Sequence, residues 1–347
     1  MTPPPRDGAP GTLLEAELRE QPEVIARLVD RAPDEVRTLR RLTSGTAGVV
    51  VAARGSSDNA ARYAQYLLPL RTGLPVGLAA PSLSTVYGRA PDVRGATVVA
   101  ISQSGASPDV VAVLADARAQ GCPTVAITND PGSALAAQAD HVLDMATGPE
   151  RSVAATKTYT ASLLGVALLA LAMGAPDDEP EALRELAALP SRIAEAIRPA
   201  DAAAVAQRLS GLTRAVAVGR GLNLCTAHEA ALKITELTRA LVIPYSPADL
   251  RHGPIAAVGP DTPVLLVAPD EPASASVRDL VPALRERGAP VVVLGPGADL
   301  PVPAEVPGWL SPLVCAVPAQ ALAWQLAVTR GVDIDHPGGL SKITTTR

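Results

Sequence analysis

Short, unbroken apolar runs along this chain alternate with longer stretches in which small and apolar residues recur at helical spacing. Residues 48–53, 96–101 and 123–128 are such runs, and each reads as a strand. Arg54-Gly55-Ser56-Ser57 turns the first run into a helix predicted over 59–70. A helix over 109–120 follows the second run, and the third ends in the turn signal Asn129-Asp130-Pro131-Gly132. A short strand over 142–145 and a long, almost wholly apolar helix over 159–172 complete the pattern. Strands that are apolar throughout, set between helices, imply a parallel sheet covered on both faces.

The order then repeats. Residues 214–218 lead into Gly219-Arg220-Gly221, echoing Ala53-Arg54-Gly55, and 263–268 corresponds to 96–101. Residues 290–294 end in Gly295-Pro296-Gly297, and a closing helix over 318–329 is predicted with its proline in the first turn, where no N–H partner is needed. The fold class expected is α/β, with two tandem domains, each a parallel sheet flanked by helices in a three-layer sandwich. The expected organisation is a flexible lead over 1–12, N-terminal helices and the first domain over 13–190, and the second domain with the C-terminal tail over 191–347. The boundary falls in the acidic, proline-marked segment around 177–198.

Composition narrows the class. The 347 residues are 48% hydrophobic and contain no Phe, two Trp and five Tyr, so Ala, Val and Leu must fill the interior. The net charge of -5 argues against nucleic acid as a partner, though not against a small anion that needs only local positive potential. Cys122, Cys225 and Cys315 are widely spaced and form no metal or CxxC pattern, which makes a reducing, cytoplasmic setting the expectation. Residues 1–11 carry four prolines and no apolar h-region, unlike a signal peptide. The apolar stretch 161–174 is shorter than the ~20 residues needed to cross a bilayer, so no membrane association is expected.

Candidate chemistry gathers at a few places. Ser102-Gln103-Ser104-Gly105 follows a strand and precedes a helix, so hydroxyls, an amide and backbone N–H groups converge where an anion such as a sugar phosphate would sit. An ordinary strand-to-helix turn uses the same residue types. Ser56, Ser57 and Ser107 belong beside this loop, because open α/β sheets bind ligands beyond the C-terminal ends of their strands. The second half has Pro269-Asp270-Glu271 instead, whose negative charge would repel phosphate. Glu229, Lys233 and Glu236 lie at helical i,i+4 and i,i+3 spacing, which suits either a solvated salt-bridge face or a buried base. His252, before Gly253-Pro254, is a candidate acid–base group or a structural turn residue; His141 reads as structural and His336 as a weaker turn candidate. Lys342 in the glycine-containing tail is either solvent-exposed or, if enclosed near a sugar carbonyl, able to form a Schiff base. The segment 150–158 could close a pocket or simply cap the following helix through Thr156 or Thr158.

Together these segments resemble the sugar-isomerase (SIS) family in its tandem-domain form, as in the isomerase half of glucosamine-6-phosphate synthase and SIS-type deaminases. The resemblance covers nearly the whole chain after Leu13. It rests on Ser102-Gln103-Ser104-Gly105, Val153-Ala154-Ala155-Thr156-Lys157, Glu229-Ala230-Ala231-Leu232-Lys233, Leu250-Arg251-His252-Gly253-Pro254, Asp333-Ile334-Asp335-His336-Pro337 and Leu340-Ser341-Lys342, in that order. It implies that Ser56, Ser57, Ser102, Gln103, Ser104 and Ser107 hold a sugar phosphate, with Ala154, Ala155, Glu229 and Lys233 lining or supporting the site. It further implies Glu236 as the base between C1 and C2, His252 as the ring-opening group, and Lys342 as the Schiff-base lysine. A homodimer with shared active sites is implied, and no cofactor or metal. Two departures stand out: Ala155 replaces a serine of the pattern, and Arg251 a common lysine. With Met1-Thr2-Pro3 in place of a glutamine-hydrolysing domain, the expected activity is an aldose–ketose isomerase-type deaminase acting on glucosamine 6-phosphate or a related amino-sugar phosphate. The alternatives are a fructosamine-phosphate deglycase and a non-enzymatic sugar-phosphate sensor.

Overall fold

The structure, a computed structural model, describes residues 12–335 together with Lys342. Residues 1–11 of the lead expected over 1–12, His336 and the rest of the tail lie outside the described residues, and Thr12, the last residue of that lead, instead begins the first helix. Two helices come first, α1 (Thr12–Asp30) and α2 (Ala32–Leu42), with Pro22 inside α1. The chain divides into two compact units. One comprises Glu23–Pro149 and Thr158–Ala188; the other comprises the chain up to Pro22, Glu150–Lys157 and Leu189–Lys342.

In the first unit, strands β1 (Gly48–Ala53), β2 (Val76–Leu78), β3 (Ala96–Ile101), β4 (Thr124–Thr128) and β5 (His141–Asp144) form an all-parallel sheet in the order β2-β1-β3-β4-β5. Helices α3 (Ser56–Thr72), α4 (Ser82–Thr85), α5 (Pro108–Ala119), α6 (Lys157–Met173) and α7 (Glu179–Ala187) follow in chain order. Small residues let helix and sheet approach closely. A Cβ on Gly165 of α6 would lie 2.9 Å from Ile127 Cγ2 of β4, so only glycine fits there. Ala52, Val98, Ala100, Val110, Leu114 and Ala126 build the core on one sheet face. His141 Nε2 sits 2.8 Å from the Glu35 carboxylate of α2.

The second unit opens with α8 (Leu189–Ala196) and α9 (Pro199–Arg208). Its strands are β6 (Arg214–Val218), β7 (Leu241–Tyr245), β8 (Val264–Val267), β9 (Val291–Gly295) and β10 (Leu300–Pro301), again all parallel, in the order β10-β9-β8-β6-β7. Between them run α10 (Leu224–Thr238), α11 (Pro247–Arg251), α12 (Ala275–Arg278) and α13 (Val281–Glu286), and α14 (Ser311–Thr329) closes the unit. The expected proline-led start of α14 is corrected. Pro312 occupies the first turn and Pro318 lies inside the helix, which begins seven residues earlier than predicted. By length and composition this last helix could cross a membrane, but 83% of its apolar window is buried inside the protein, as in a core helix.

The two sheets share a topology. In each, the first strand is central, the second lies to one side and the third to the other. This creates a switch point between β1 and β3 and another between β6 and β8, where the outgoing loops diverge and leave a crevice.

Candidate functional site

The loops at the first switch point carry the predicted serines. After β1, Arg54 donates through Nε and Nη2 to Asp109 Oδ2, each at 2.7 Å. Asp109 is buried at the start of α5, while the Arg54 side chain remains 46% exposed. A cation is thereby fixed at the mouth of the crevice with its charge reachable from solvent. Gly55 follows at φ +57 and Ser56 and Ser57 open α3. After β3, the Ser102 hydroxyl accepts from the Gly105 N–H at 3.2 Å, and the Ser104 hydroxyl from the Ala106 N–H at 3.3 Å. Gln103 contributes its carbonyl to the Asn129 N–H at 3.1 Å, which braces the loop against the end of β4. Ser107 is the N-cap of α5, yet its hydroxyl makes no cap bond. Gly105 has φ +58, and a Cβ there would lie 2.0 Å from Ser133 Oγ. The backbone is therefore held in a tight left-handed turn that presents hydroxyls and N–H groups at the start of a helix, the arrangement anions favour. An apolar cavity of about 270 Å³ elsewhere in this unit is lined by residues such as Val50, Leu78, Leu83, Val98 and Val113. Its lining offers a carboxylate, Asp116, and no cation, so it does not suit a phosphate.

At the second switch point the anion position is occupied by the protein itself. Glu271 accepts from Asn223 Nδ2 at 3.0 Å, and the same amide donates to Ser311 Oγ at 2.7 Å. Burial pushes the Glu271 carboxyl above its usual range, with the Asn223 side chain and backbone opposing.

The second unit also gathers most of the predicted acid–base residues. On α10, Lys233 is buried between two carboxylates: Glu229 at 3.8 Å, itself buried, and Glu236, with which it pairs directly. Burial disfavours the Lys233 charge, but Glu229, Glu236 and, more weakly, Glu150 together hold the ammonium above its ordinary pKa. The Glu236 side chain stays 26% exposed, so a carboxylate sits at the solvent edge of a locked cation. Lys342 is not a free tail amine. Its Nζ donates to Glu150 Oε2 and to the Ser152 carbonyl, both at 2.7 Å. Glu150 is buried and also accepts from the Thr156 N–H at 3.0 Å. Glu17 of α1 accepts from the backbone N–H groups of Arg151 and Ser152. Burial raises the Glu17 carboxyl; the Arg151 N–H opposes, Glu150 adds to the rise, and Lys157 and Lys342 oppose.

Lys342, Lys233, Glu229 and Glu236 thus share one unit with Glu150, which bonds Lys342 directly. Ala154 is buried and Ala155 half-buried in the same Glu150–Lys157 segment. His252 lies in the same unit, exposed at the C-cap of α11, and its imidazole has no side-chain partner among the described residues. Sequence reading passed over Glu17, and took Glu150 only as the first residue of a polar segment that could close a pocket. The signal was a glutamate ahead of the Ser152–Lys157 motif, but nothing local ties it to a lysine 192 positions away.

Comparison with known proteins agrees with this picture. The SIS domain family model matches residues 46–172 and 209–305, which contain all ten strands of the two sheets. The chain is 31% identical over 95% of its length to a glutamine–fructose-6-phosphate aminotransferase (isomerizing) of Bradyrhizobium diazoefficiens, and 32% identical over 96% to that of Brucella abortus. It spans 58% of the length of each of these relatives. Among solved structures, a Silicibacter pomeroyi DSS-3 protein provisionally described as a phosphosugar isomerase is 32% identical, with TM-score 0.84 over 93% of this chain and 99% of that one. The C-terminal domain of the Francisella tularensis glucosamine-fructose-6-phosphate aminotransferase has TM-score 0.86 at 23% identity, over 95% of this chain and 99% of that one. Thermotoga maritima glucosamine-6-phosphate deaminase has TM-score 0.73 at 23% identity, over 92% and 99%, which shows a shared fold. With the family model matching more than half of the chain, on the same two sheets that carry the repeated switch points, this protein belongs to the SIS-domain family.

Proposed function

We propose that this chain is an aldose–ketose isomerase-type deaminase that converts glucosamine 6-phosphate, or a related amino-sugar phosphate, to a ketose phosphate and ammonia. The observation that carries the reading is Glu236, a partly exposed carboxylate held in place by Lys233, in the same unit as the tail amine of Lys342. A carboxylate so placed can take a proton from one carbon and return it to the next without reorganising. In the proposal, Ser56, Ser57, Ser102, Gln103, Ser104 and Ser107 bind the phosphate, with Arg54 supplying positive potential. Lys342 or His252 helps the open-chain sugar form. Glu236 removes the C2 proton and delivers it to C1, through an enediol-like or enamine-like intermediate. This turns the C2 amine into an imine; water adds to that carbon and ammonia leaves, so that amino-sugar phosphate plus water gives fructose 6-phosphate plus ammonia. A homodimer and a cytoplasmic setting belong to the same proposal. Support comes from the family assignment and from relatives whose names specify fructose 6-phosphate chemistry.

The test is ammonia release from a panel of amino-sugar phosphates. Wild-type protein should turn over at least one, and Glu236→Gln should reduce kcat by about 10²–10⁴-fold, the usual contribution of a general base. Release of an amino acid from a fructosamine phosphate, with no ammonia from any amino-sugar phosphate, would move the assignment to a deglycase. Tight binding without turnover, unaffected by Glu236→Gln, would make the protein a sensor.

A further inference from the structure

We infer that Glu150 is a positioning residue that holds the C-terminal lysine, Lys342, in its working place. The inference rests on the function proposed above, which gives Lys342 its chemical task. Three observations carry it. The Glu150 side chain is fully buried, while that of Lys342 is 23% exposed. The tail amine is held by Glu150 Oε2 and by the Ser152 carbonyl, both at 2.7 Å, so Nζ is fixed from two directions. Glu150 is itself fixed, because Oε1 accepts from the Thr156 N–H while Oε2 accepts from Lys342.

The arrangement has a chemical consequence. A buried carboxylate is costly without a partner, so Glu150 favours the state in which the tail amine is docked. It can also accept the proton that Lys342 must lose before attack. Ammonium and carboxylate become amine and carboxylic acid; the amine nitrogen then bonds to the carbonyl carbon, and loss of water from that adduct leaves a C=N bond. Glu150 is fully buried and bonded to Lys342, so its part in the proposed chemistry is played through the lysine.

Two readouts on Glu150→Gln test this, with Glu150→Asp as the conservative variant. Trypsin cleaves after Lys342, and a docked lysine resists it. Glutamine keeps an acceptor for the Thr156 N–H but loses the charge, so native-state cleavage after Lys342 should accelerate about ten-fold or more, in line with loss of a charge-assisted hydrogen bond. Borohydride trapping is the second readout: hydride reduces the C=N adduct between Lys342 and fructose 6-phosphate to a stable secondary amine, seen by mass spectrometry of the tail peptide. Glu150→Gln should trap about ten-fold more slowly, with little change in the affinity for the phosphate ester, and Glu150→Asp should recover part of both effects. Unchanged cleavage in Glu150→Gln overturns the inference, as does faster cleavage with unchanged trapping. If wild-type protein neither traps nor turns over while Glu150→Gln still frees the tail, the proposed function has failed and the docking has not. Should Glu150→Gln not fold, Lys342→Gln carries the test: stranding Glu150 should lower Tm by about 3 °C, and an unchanged Tm overturns the docking.

Discussion

Single residues in this protein are set by what burial does to charge. Glu271 sits at the second switch point, where it accepts from Asn223, and burial raises its carboxyl pKa. The folded state therefore keeps this proton to a higher pH than the unfolded chain does. The stability contributed by Glu271 is fully present below the unfolded-state pKa and is lost as pH rises through the folded-state value. Glu271→Gln keeps an acceptor for Asn223 and removes the charge. It should raise Tm at pH 7 by about 2 °C, and the gain should vanish near pH 4, where the wild-type carboxyl is protonated when folded. Scanning calorimetry at the two pH values checks both the size and the sign. Lys233 shows the opposite outcome: burial alone would lower its pKa, and the surrounding carboxylates reverse that. Residue identity in the sequence cannot separate these cases, because both depend on neighbours that folding brings in.

Elements were legible wherever the apolar run was central in a sheet. β1, β3 and β6 occupy their predicted residues, since strands buried on both faces must be apolar throughout. Of the edge strands, β5 was legible to within one residue of the predicted 142–145, but β2, β7 and β10 were not. β2 has three residues, and β7 contains Pro244, which removes a ladder donor that an edge strand can spare. The start of α14 was misread because Pro318 looks like a first-turn proline. It is tolerated in mid-helix although such a residue costs about 3 kcal/mol, in a helix whose apolar residues are nearly all buried. The serine loop was legible as a turn; its rigidity was not, because that comes from Ser133 and Asn129 beyond the next strand. Gly105→Ala makes the rigidity measurable. It combines a left-handed backbone with a methyl group 2.0 Å from Ser133 Oγ, and should cost about 2–4 kcal/mol in urea unfolding. Gly121→Ala, also at positive φ but facing open space, should cost only about 1 kcal/mol. Only the first should weaken phosphate binding, because only it displaces the loop.

Across the molecule, duplication has kept topology and changed chemistry. Both sheets place their switch point between the first and third strands of the copy, so two crevices of similar origin are available. The first is lined by hydroxyls, N–H groups and the Asp109-anchored Arg54. The second is closed by the Asn223–Glu271–Ser311 network. A carboxylate about 4 Å from a phosphate charge opposes it by about 1 kcal/mol in water and by about 4 kcal/mol in a partly buried setting. The difference between the copies is therefore large enough to leave one anion site per chain. Calorimetric titration with fructose 6-phosphate should give one site per chain, and two sites would contradict the argument. Ser104→Glu should abolish the binding by placing negative charge in the first loop. Glu271→Gln should leave the stoichiometry at one, because a neutral amide still fills the second crevice through Asn223. Removing the Glu271 charge leaves Asp270 in place and does not restore the missing hydroxyl loop, so a second site appearing in this variant would show that the Glu271 charge alone had retired the second copy.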